Sequence, residues 1–239
     1  MNKMTWTMIR DLLAQEIADG TLEPGDRLPT EPELVARFGA GRHSVRRAVE
    51  ALAKEGKLSV EQGRGTFVEE APSLIYSIGK RTRLRRNLLP QGYDVSSVLL
   101  GADRVVAPPP VCKALGLSDG AEVVESRRKT IANGIPIAFG SNFHDAQRFP
   151  DIVERRDVLG SMTETYKSYG IDDYVRAETS MHARQARAEE AKQLKQHPDM
   201  PVIVVRAVDR QLDGQPLASS QVIWSSARVR FTMSMEDDD

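Results

Sequence analysis

Apolar residues recur at helical spacing along the first quarter of the chain. Trp6, Ile9, Leu13 and Ile17 stand three or four apart with Arg10, Asp11 and Gln15 between them, which predicts a helix with one buried side. Gly20 and the Pro24-Gly25 pair end it and turn the chain. A second helix starts at TEPE, where Thr30 lies three residues before Glu33 as in a reciprocal cap, and Pro32 sits in the first turn, where a missing N–H costs little. Leu34, Val35 and Phe38 form its apolar side, and Gly39 and Gly41 close it. Val45, Ala48, Val49 and Leu52 then fall at i, i+3, i+4 and i+7, one continuous stripe of a third helix. From Leu58 the period drops to two: Leu58 and Val60 alternate, as do Thr66 and Val68, on either side of EQGRG. Glycines flanking Arg64 suit a tight hairpin tip. Three helices followed by a small hairpin make a winged helix-turn-helix.

The rest of the chain alternates extended and helical pieces. VVESRRKTIANGIPIAF reads as strand, Asn-Gly turn, strand, and VIVVRAVDRQLDGQPLASSQVIW as strand, Asp-Gly turn, strand. Asn133-Gly134-Ile135-Pro136 matches Asp213-Gly214-Gln215-Pro216, so the second half reads as a pseudo-symmetric antiparallel sheet. Helices from Pro110 to Leu115, near Ser161 to Tyr169 and from Ala186 to Lys195 would cover it, giving an α+β domain. The expected division is residues 1–70 for the winged helix, 71–78 for a linker containing Pro72 and Ser73, and 79–239 for the second domain.

Charge changes this picture in one place. The 239 residues carry 33 Lys and Arg against 34 Asp and Glu, a net charge of -1, yet the third helix opens with Arg42, His43, Arg46 and Arg47. No acidic residue occurs from Val35 through Val49. Arg42 and Arg46 are four apart and stack on a face away from the apolar stripe. A solvated face would mix signs there. With a capped helix before them and a glycine-tipped hairpin after, these cations are placed for DNA, helix three in the major groove and the wing beside it. A second basic run, YSIGKRTRLRRNLLPQG, gathers Lys80, Arg81, Arg83, Arg85 and Arg86. It reads either as a further DNA contact or as an anion-binding loop facing a ligand pocket.

Other chemistry is sparse. No apolar run approaches the ~20 residues needed to cross a bilayer, and MNKMTWTMIRDLLAQEI is broken by charges, so a cytoplasmic protein with no membrane role is expected. Cys112 is the single cysteine, and the four histidines are scattered without metal-ligand spacing. There is no GxSxG, HExxH or GxxxxGK[ST]. Neither a metal nor a cofactor is expected, and an enzyme reading is weakened.

LPTEPELVARFGAGRHSVRRAVEALAKEGKLSVEQGRGTFV resembles the DNA-binding domain of the GntR family of bacterial regulators. The elements are Leu28-Pro29-Thr30-Glu31, the R-x-x-V-R-x-A-[LV]-x-x-L run from Arg42 to Leu52, and Gly63 to Val68. The resemblance implies DNA contacts from Thr30, Arg42, His43, Ser44, Arg46 and Arg47, with Gln62, Gly63, Arg64 and Gly65 at the wing. Pro32 stands where the family often has an arginine, so one expected DNA contact is missing. The second half resembles the effector domain of the HutC subgroup, the UTRA domain, whose fold is shared with chorismate lyase; PhnF-type regulators of phosphonate utilisation are the nearest pattern. GKRTR within Tyr76 to Asn87, Phe143 to Pro150, Gly170-Ile171-Asp172-Asp173-Tyr174 with Arg176, and Arg230-Phe231 carry it.

That likeness implies a ligand-responsive repressor, acting as a homodimer on a pseudo-palindromic double-stranded DNA operator and controlled by a small anionic effector. The implied ligand residues are Arg85, Arg128, Thr130, Asn142, Tyr174, Arg176 and Ser220. Arg128 matches a pocket arginine of relatives, whereas Thr130, Ala218 and Arg85 replace an arginine, a glutamate and a serine or threonine that are usual there. Alternation on the strand puts Arg128 and Thr130 on one face and Arg127 and Lys129 on the other. Two other readings remain at this point: a lyase-like enzyme carrying a DNA-binding domain, and an architectural or protein-binding module without a small-molecule response.

Overall fold

A computed structural model describes residues 4–61, 63–69 and 74–233. Gln62, Glu70, residues 71–73 of the expected linker, and the two chain ends lie outside the described residues. Contacts divide the chain into two units, 1–73 with 185–202 and 225–228, and 74–184 with 203–224 and 229–239.

In the first unit the expected helices are α1 (Trp6–Ala18), α2 (Glu31–Phe38) and α3 (Arg42–Lys54), followed by β1 (Leu58–Glu61) and β2 (Gly65–Val68). Ile9 and Leu13 of α1, Leu34 of α2, and Val45, Ala48 and Leu52 of α3 meet in one core with Leu58 and Val68. The cap expected at Thr30 forms through Glu33, whose carboxylate accepts from both the N–H and the hydroxyl of Thr30 at 2.7 Å. β1 pairs antiparallel with β2 from Leu58↔Val68 to Glu61↔Gly65. The chain before α2 adds to this hairpin, since Leu28 N–H donates to the Thr66 carbonyl at 2.7 Å and Val68 N–H to that of Asp26 at 2.9 Å. This unit also holds α8 (Ala188–Leu194), with Lys54 on Asp199 at 2.8 Å and Arg228 on Glu69 at 2.8 Å.

The second unit is built on a six-stranded sheet in the order β4-β5-β6-β9-β8-β7, from β4 (Val95–Val106), β5 (Glu122–Ala132), β6 (Ile135–Asp145), β7 (Tyr174–Gln185), β8 (Pro201–Gln211) and β9 (Pro216–Ser225). The order reads the same from both edges, three strands from each half, as the repeated hairpins implied. The two hairpins are β5–β6 and β8–β9, and their inner strands pair at the centre, Gly140 against Val222. There a methyl on Gly140 would stand 2.2 Å from the Gln221 carbonyl oxygen, so the two backbones approach as closely as they do only because this residue is glycine.

Period-two alternation decides which side each residue serves. Val123 joins Val111, Cys112 and Leu115 of α5 (Pro109–Leu115) on one face of the sheet. Val124 joins Phe149, Tyr166 and Leu217 on the other. That second face is capped by α6 (Ile152–Leu159) and α7 (Met162–Lys167), with α4 (Leu84–Leu88) beside them.

The segment expected as linker is different from Leu74 onward. Residues Leu74–Ile78 form β3, paired in parallel with β10 (Val229–Met233), Leu74 against Val229 and Ile78 against Met233. Leu74 and Tyr76 point inward and Ile75 and Ser77 outward. Tyr76 packs on Trp224 and Phe231 with ring centroids 4.8 and 5.7 Å away, and Trp224 on Phe231 at 5.4 Å, which closes the core at this end.

Candidate functional site

Two surfaces collect the residues singled out by sequence, one in each unit. On α3 the apolar stripe turns Val45 and Ala48 inward, leaving Arg42, His43, Arg46 and Arg47 exposed and Ser44 half-buried. No side chain caps the N-terminus of α3 at Gly41, so its first N–H groups are free of a competing side-chain acceptor, which favours a phosphate there. Arg46 pairs with Glu50 one turn on, Nε to Oε1 3.2 Å, an exposed contact that is easily exchanged for another anion. Arg47 lies over the Trp6 ring, 4.3 Å from its centroid, so α1 holds this guanidinium in place. At the wing, Gly63 and Gly65 both have positive φ, and a side chain on Gly65 would meet Arg27. Arg64 projects from the tip, paired with Glu61. The Thr30 hydroxyl is turned to its own cap. Gln62 lies outside the described residues.

In the second unit the sheet face under α6 and α7 encloses a cavity of about 240 Å³. Arg85, Arg128, Thr130, Asn142, Tyr174 and Arg176 all line it, from α4, β5, β6 and β7. Ser220 does not. It stands opposite Asn142 in β9 but borders a separate depression with Ser141 and Arg206. The cross-strand partner of Arg128 is Gly140, which has no side chain to fill the space the long guanidinium arm occupies. Arg127, on the other face, reaches Asp103 at 2.7 Å, as alternation requires. The exchanged positions Thr130, Ala218 and Arg85 are all cavity residues.

Five guanidiniums line this space: Arg83, Arg85, Arg128, Arg156 and Arg176. Arg176 and Asp209 form a half-buried pair, Nε to Oδ1 2.8 Å; desolvation works against the Arg176 charge, and Asp209 overrides it and holds the group above its ordinary value. Arg83 lies over the Tyr174 ring, 3.3 Å from its centroid, and within 3.6 Å of Asp173, whose other oxygen takes Arg81 at 2.8 Å. Arg128, with a side chain only 12% exposed, pairs with Asp157 of α6. Arg85 and Arg156 have no ion-pair partner among the described residues. Burial, then the Arg128 and Arg85 charges, push the Arg156 guanidinium down to about 10, and it stays cationic at neutral pH. Within the basic run, Arg81 and Arg83 pair with Asp173, and Arg83 and Arg85 line the cavity.

Arg156 carries no clear signal in the sequence, because IVERRDVL lacks a clean apolar stripe. The Pro150-Asp151 step before Ile152 was the available helix-start signal. In α6 the two adjacent arginines part: Arg155 turns to Asp151 and the Tyr169 ring, Arg156 to the cavity. Buried beside the cavity is also His144, whose Nε2 is 2.9 Å from the Tyr166 hydroxyl and which burial pushes down to about 3, leaving it neutral.

Among the described residues no helix is long and apolar enough to cross a membrane. Residues 5–68 match the family described as bacterial regulatory proteins, gntR family, and residues 90–230 match the UTRA domain. An uncharacterized HTH-type transcriptional regulator, RB1450, of Rhizobium meliloti (strain 1021) is 34% identical over 231 residues, covering 97% of this chain and 95% of its own. The probable transcriptional regulator PhnF of Escherichia coli (strain K12) is 30% identical over 211 residues, 87% of this chain and 86% of its own. The crystal structure of PhnF from Mycobacterium smegmatis superposes with a TM-score of 0.65 at 24% identity, over 95% of this chain and 99% of that one, and shows the shared fold. These families and relatives are transcriptional regulators, not enzymes, and the lyase-like reading falls away. The chain belongs to the gntR family of bacterial regulatory proteins, with a UTRA domain as its second half.

Proposed function

We propose that this regulator is a ligand-responsive repressor acting in the cytoplasm as a homodimer on a pseudo-palindromic operator, and that a small anionic metabolite, a phosphonate or phosphate ester, enters the arginine cavity to change its affinity for DNA. The observation that carries this reading is the convergence of Arg85, Arg128 and Arg156 on one small cavity that also presents the neutral polar side chains of Thr130, Asn142 and Ser126. Planar guanidinium forks suit a tetrahedral oxyanion. A volume of 240 Å³ suits a ligand of few heavy atoms. A coupling of about 1–3 kcal/mol between the ligand and operator sites changes DNA affinity ~5- to 150-fold, enough to switch transcription.

The test is a fluorescence-anisotropy titration of the full chain on duplexes tiled across the DNA upstream of its own gene. It is run at two salt concentrations and repeated with phosphate, simple phosphonates and sugar phosphates. The expected result is tight binding to one near-palindromic duplex, altered by one compound class. Binding that is weak, sequence-blind and lost with salt counts against the operator, and an operator complex indifferent to all anions counts against the effector.

A further inference from the structure

Asp157 and Arg156 are neighbours on α6 but face different partners: Arg156 lines the cavity, and Asp157 pairs with Arg128, which reaches up from the sheet. The two members of that pair are unequally solvated. Arg128 is 12% exposed and cannot stand bare without a large desolvation cost, whereas Asp157 is 45% exposed and is released to water cheaply. We propose that Asp157 is a built-in stand-in for the anionic group of the effector, and that Arg156 makes the site select a dianionic head group over a monoanionic one of the same shape.

This selection follows from charge balance and rests on the effector reading above. A monoanion that displaces Asp157 from Arg128 exchanges one negative charge for another and leaves Arg85 and Arg156 as they were. A dianion takes the place of Asp157 and compensates a second guanidinium in the same step. Only the second exchange relieves Arg156 of the repulsion from the Arg128 and Arg85 charges beside it, with which it shares the cavity. The ligand class is therefore a small tetrahedral dianion, a phosphonate or a phosphate monoester, with sulfonates and carboxylates disfavoured.

Isothermal titration of the full chain at about pH 8.5 with methylphosphonate and methanesulfonate, near-isosteres that differ by one charge, tests this. The wild type is expected to bind the phosphonate about tenfold tighter or more, the scale of one added charge-assisted contact. In Arg156→Gln, which keeps hydrogen-bond donors and removes the charge, that ratio should fall toward one. In Asp157→Asn, which removes the competitor, both ligands should bind several-fold tighter. Equal wild-type affinities, or a ratio unchanged in Arg156→Gln, overturns the charge selection while leaving an anionic effector intact. Unchanged affinities in Asp157→Asn overturn the stand-in role. Failure of both anions to bind wild-type protein that still holds its operator overturns the effector reading itself.

Discussion

Replacing Arg46 by alanine separates what this side chain does for the fold from what it does for DNA. The guanidinium is 71% exposed and its one partner, Glu50, is 51% exposed at i+4. An exposed pair of that kind contributes about 0.3–0.5 kcal/mol, so the denaturation midpoint should barely move. On DNA the expected loss is larger. An arginine on a guanine edge is worth about 1–3 kcal/mol. In the proposed dimer it is present twice, which gives ~2–6 kcal/mol, or roughly 30-fold to 10⁴-fold in operator affinity. Anisotropy titrations over a range of salt concentrations distinguish its mode of contact. If both copies reach phosphates, log K against log salt should become shallower by about 1.8, whereas base contacts leave the slope and relax preference at the contacted position. Glu50→Gln, which releases Arg46 beforehand in both copies, should tighten binding about threefold to fivefold, the worth of the two pairs given up. Arg46→Ala with full operator affinity would remove α3 from the major groove. A loss of more than about 1 kcal/mol in stability would mean that the side chain supports the fold after all.

Tyr166→Phe should cost about 1–3 kcal/mol in chemical denaturation, because it leaves both ring nitrogens of buried His144 unpaired; Nδ1 already has no partner. His144 is pushed from 6.5 to about 3 in the folded state. Its contribution is therefore whole above pH 6.5 and declines as pH falls toward 3, because the unfolded chain binds a proton that the folded one refuses. The slope is about 1.4 kcal/mol per pH unit, and His144→Gln should flatten that limb of a stability-against-pH curve. Gly140→Ala drives a methyl into the Gln221 carbonyl and should cost about 3 kcal/mol or more, read as a lowered melting temperature of the second unit with operator binding measured alongside.

What could be read from the chain beforehand was the part governed by local rules. The Thr30–Glu33 cap, the stripe Val45–Leu52 and the glycines around Arg64 each act within a few residues, and the winged helix followed from them. The Asn133-Gly134 and Asp213-Gly214 turns likewise announced the two hairpins. What escaped depends on partners far away in sequence. Leu74 to Ile78 looked like linker because Pro72 and Ser73 precede it and its strand partner begins at Val229. The five cations from Lys80 to Arg86 could not be told apart until Asp173, some ninety residues on, was seen to claim Arg81 and Arg83. Arg156 was hidden in a helix with no amphipathic stripe, although it sits beside Arg128 in charge if not in sequence. The candidate site was thus half legible: Arg128, Thr130 and Arg85 from a resemblance, with strand alternation putting the first two on one face, and Arg156 only from the fold.

The parallel pairing of β3 with β10 also sets an order of events during synthesis. Ser77 and its partner Thr232 are 155 residues apart, so at ~5–20 residues per second the ribosome needs roughly 8–30 s to deliver the second strand after the first. Three α-helices and a hairpin with short-range contacts have ample time to fold meanwhile. A nascent chain therefore passes through a stage in which DNA-reading helices are complete and Tyr76 still lacks Trp224 and Phe231. Any chain that stops short of Val229, through a nonsense codon or proteolysis, stays at that stage. Such fragments would keep the cationic helix without a completed UTRA domain, and on the function proposed above they would compete in a cell for the same promoters while escaping whatever control that domain exerts.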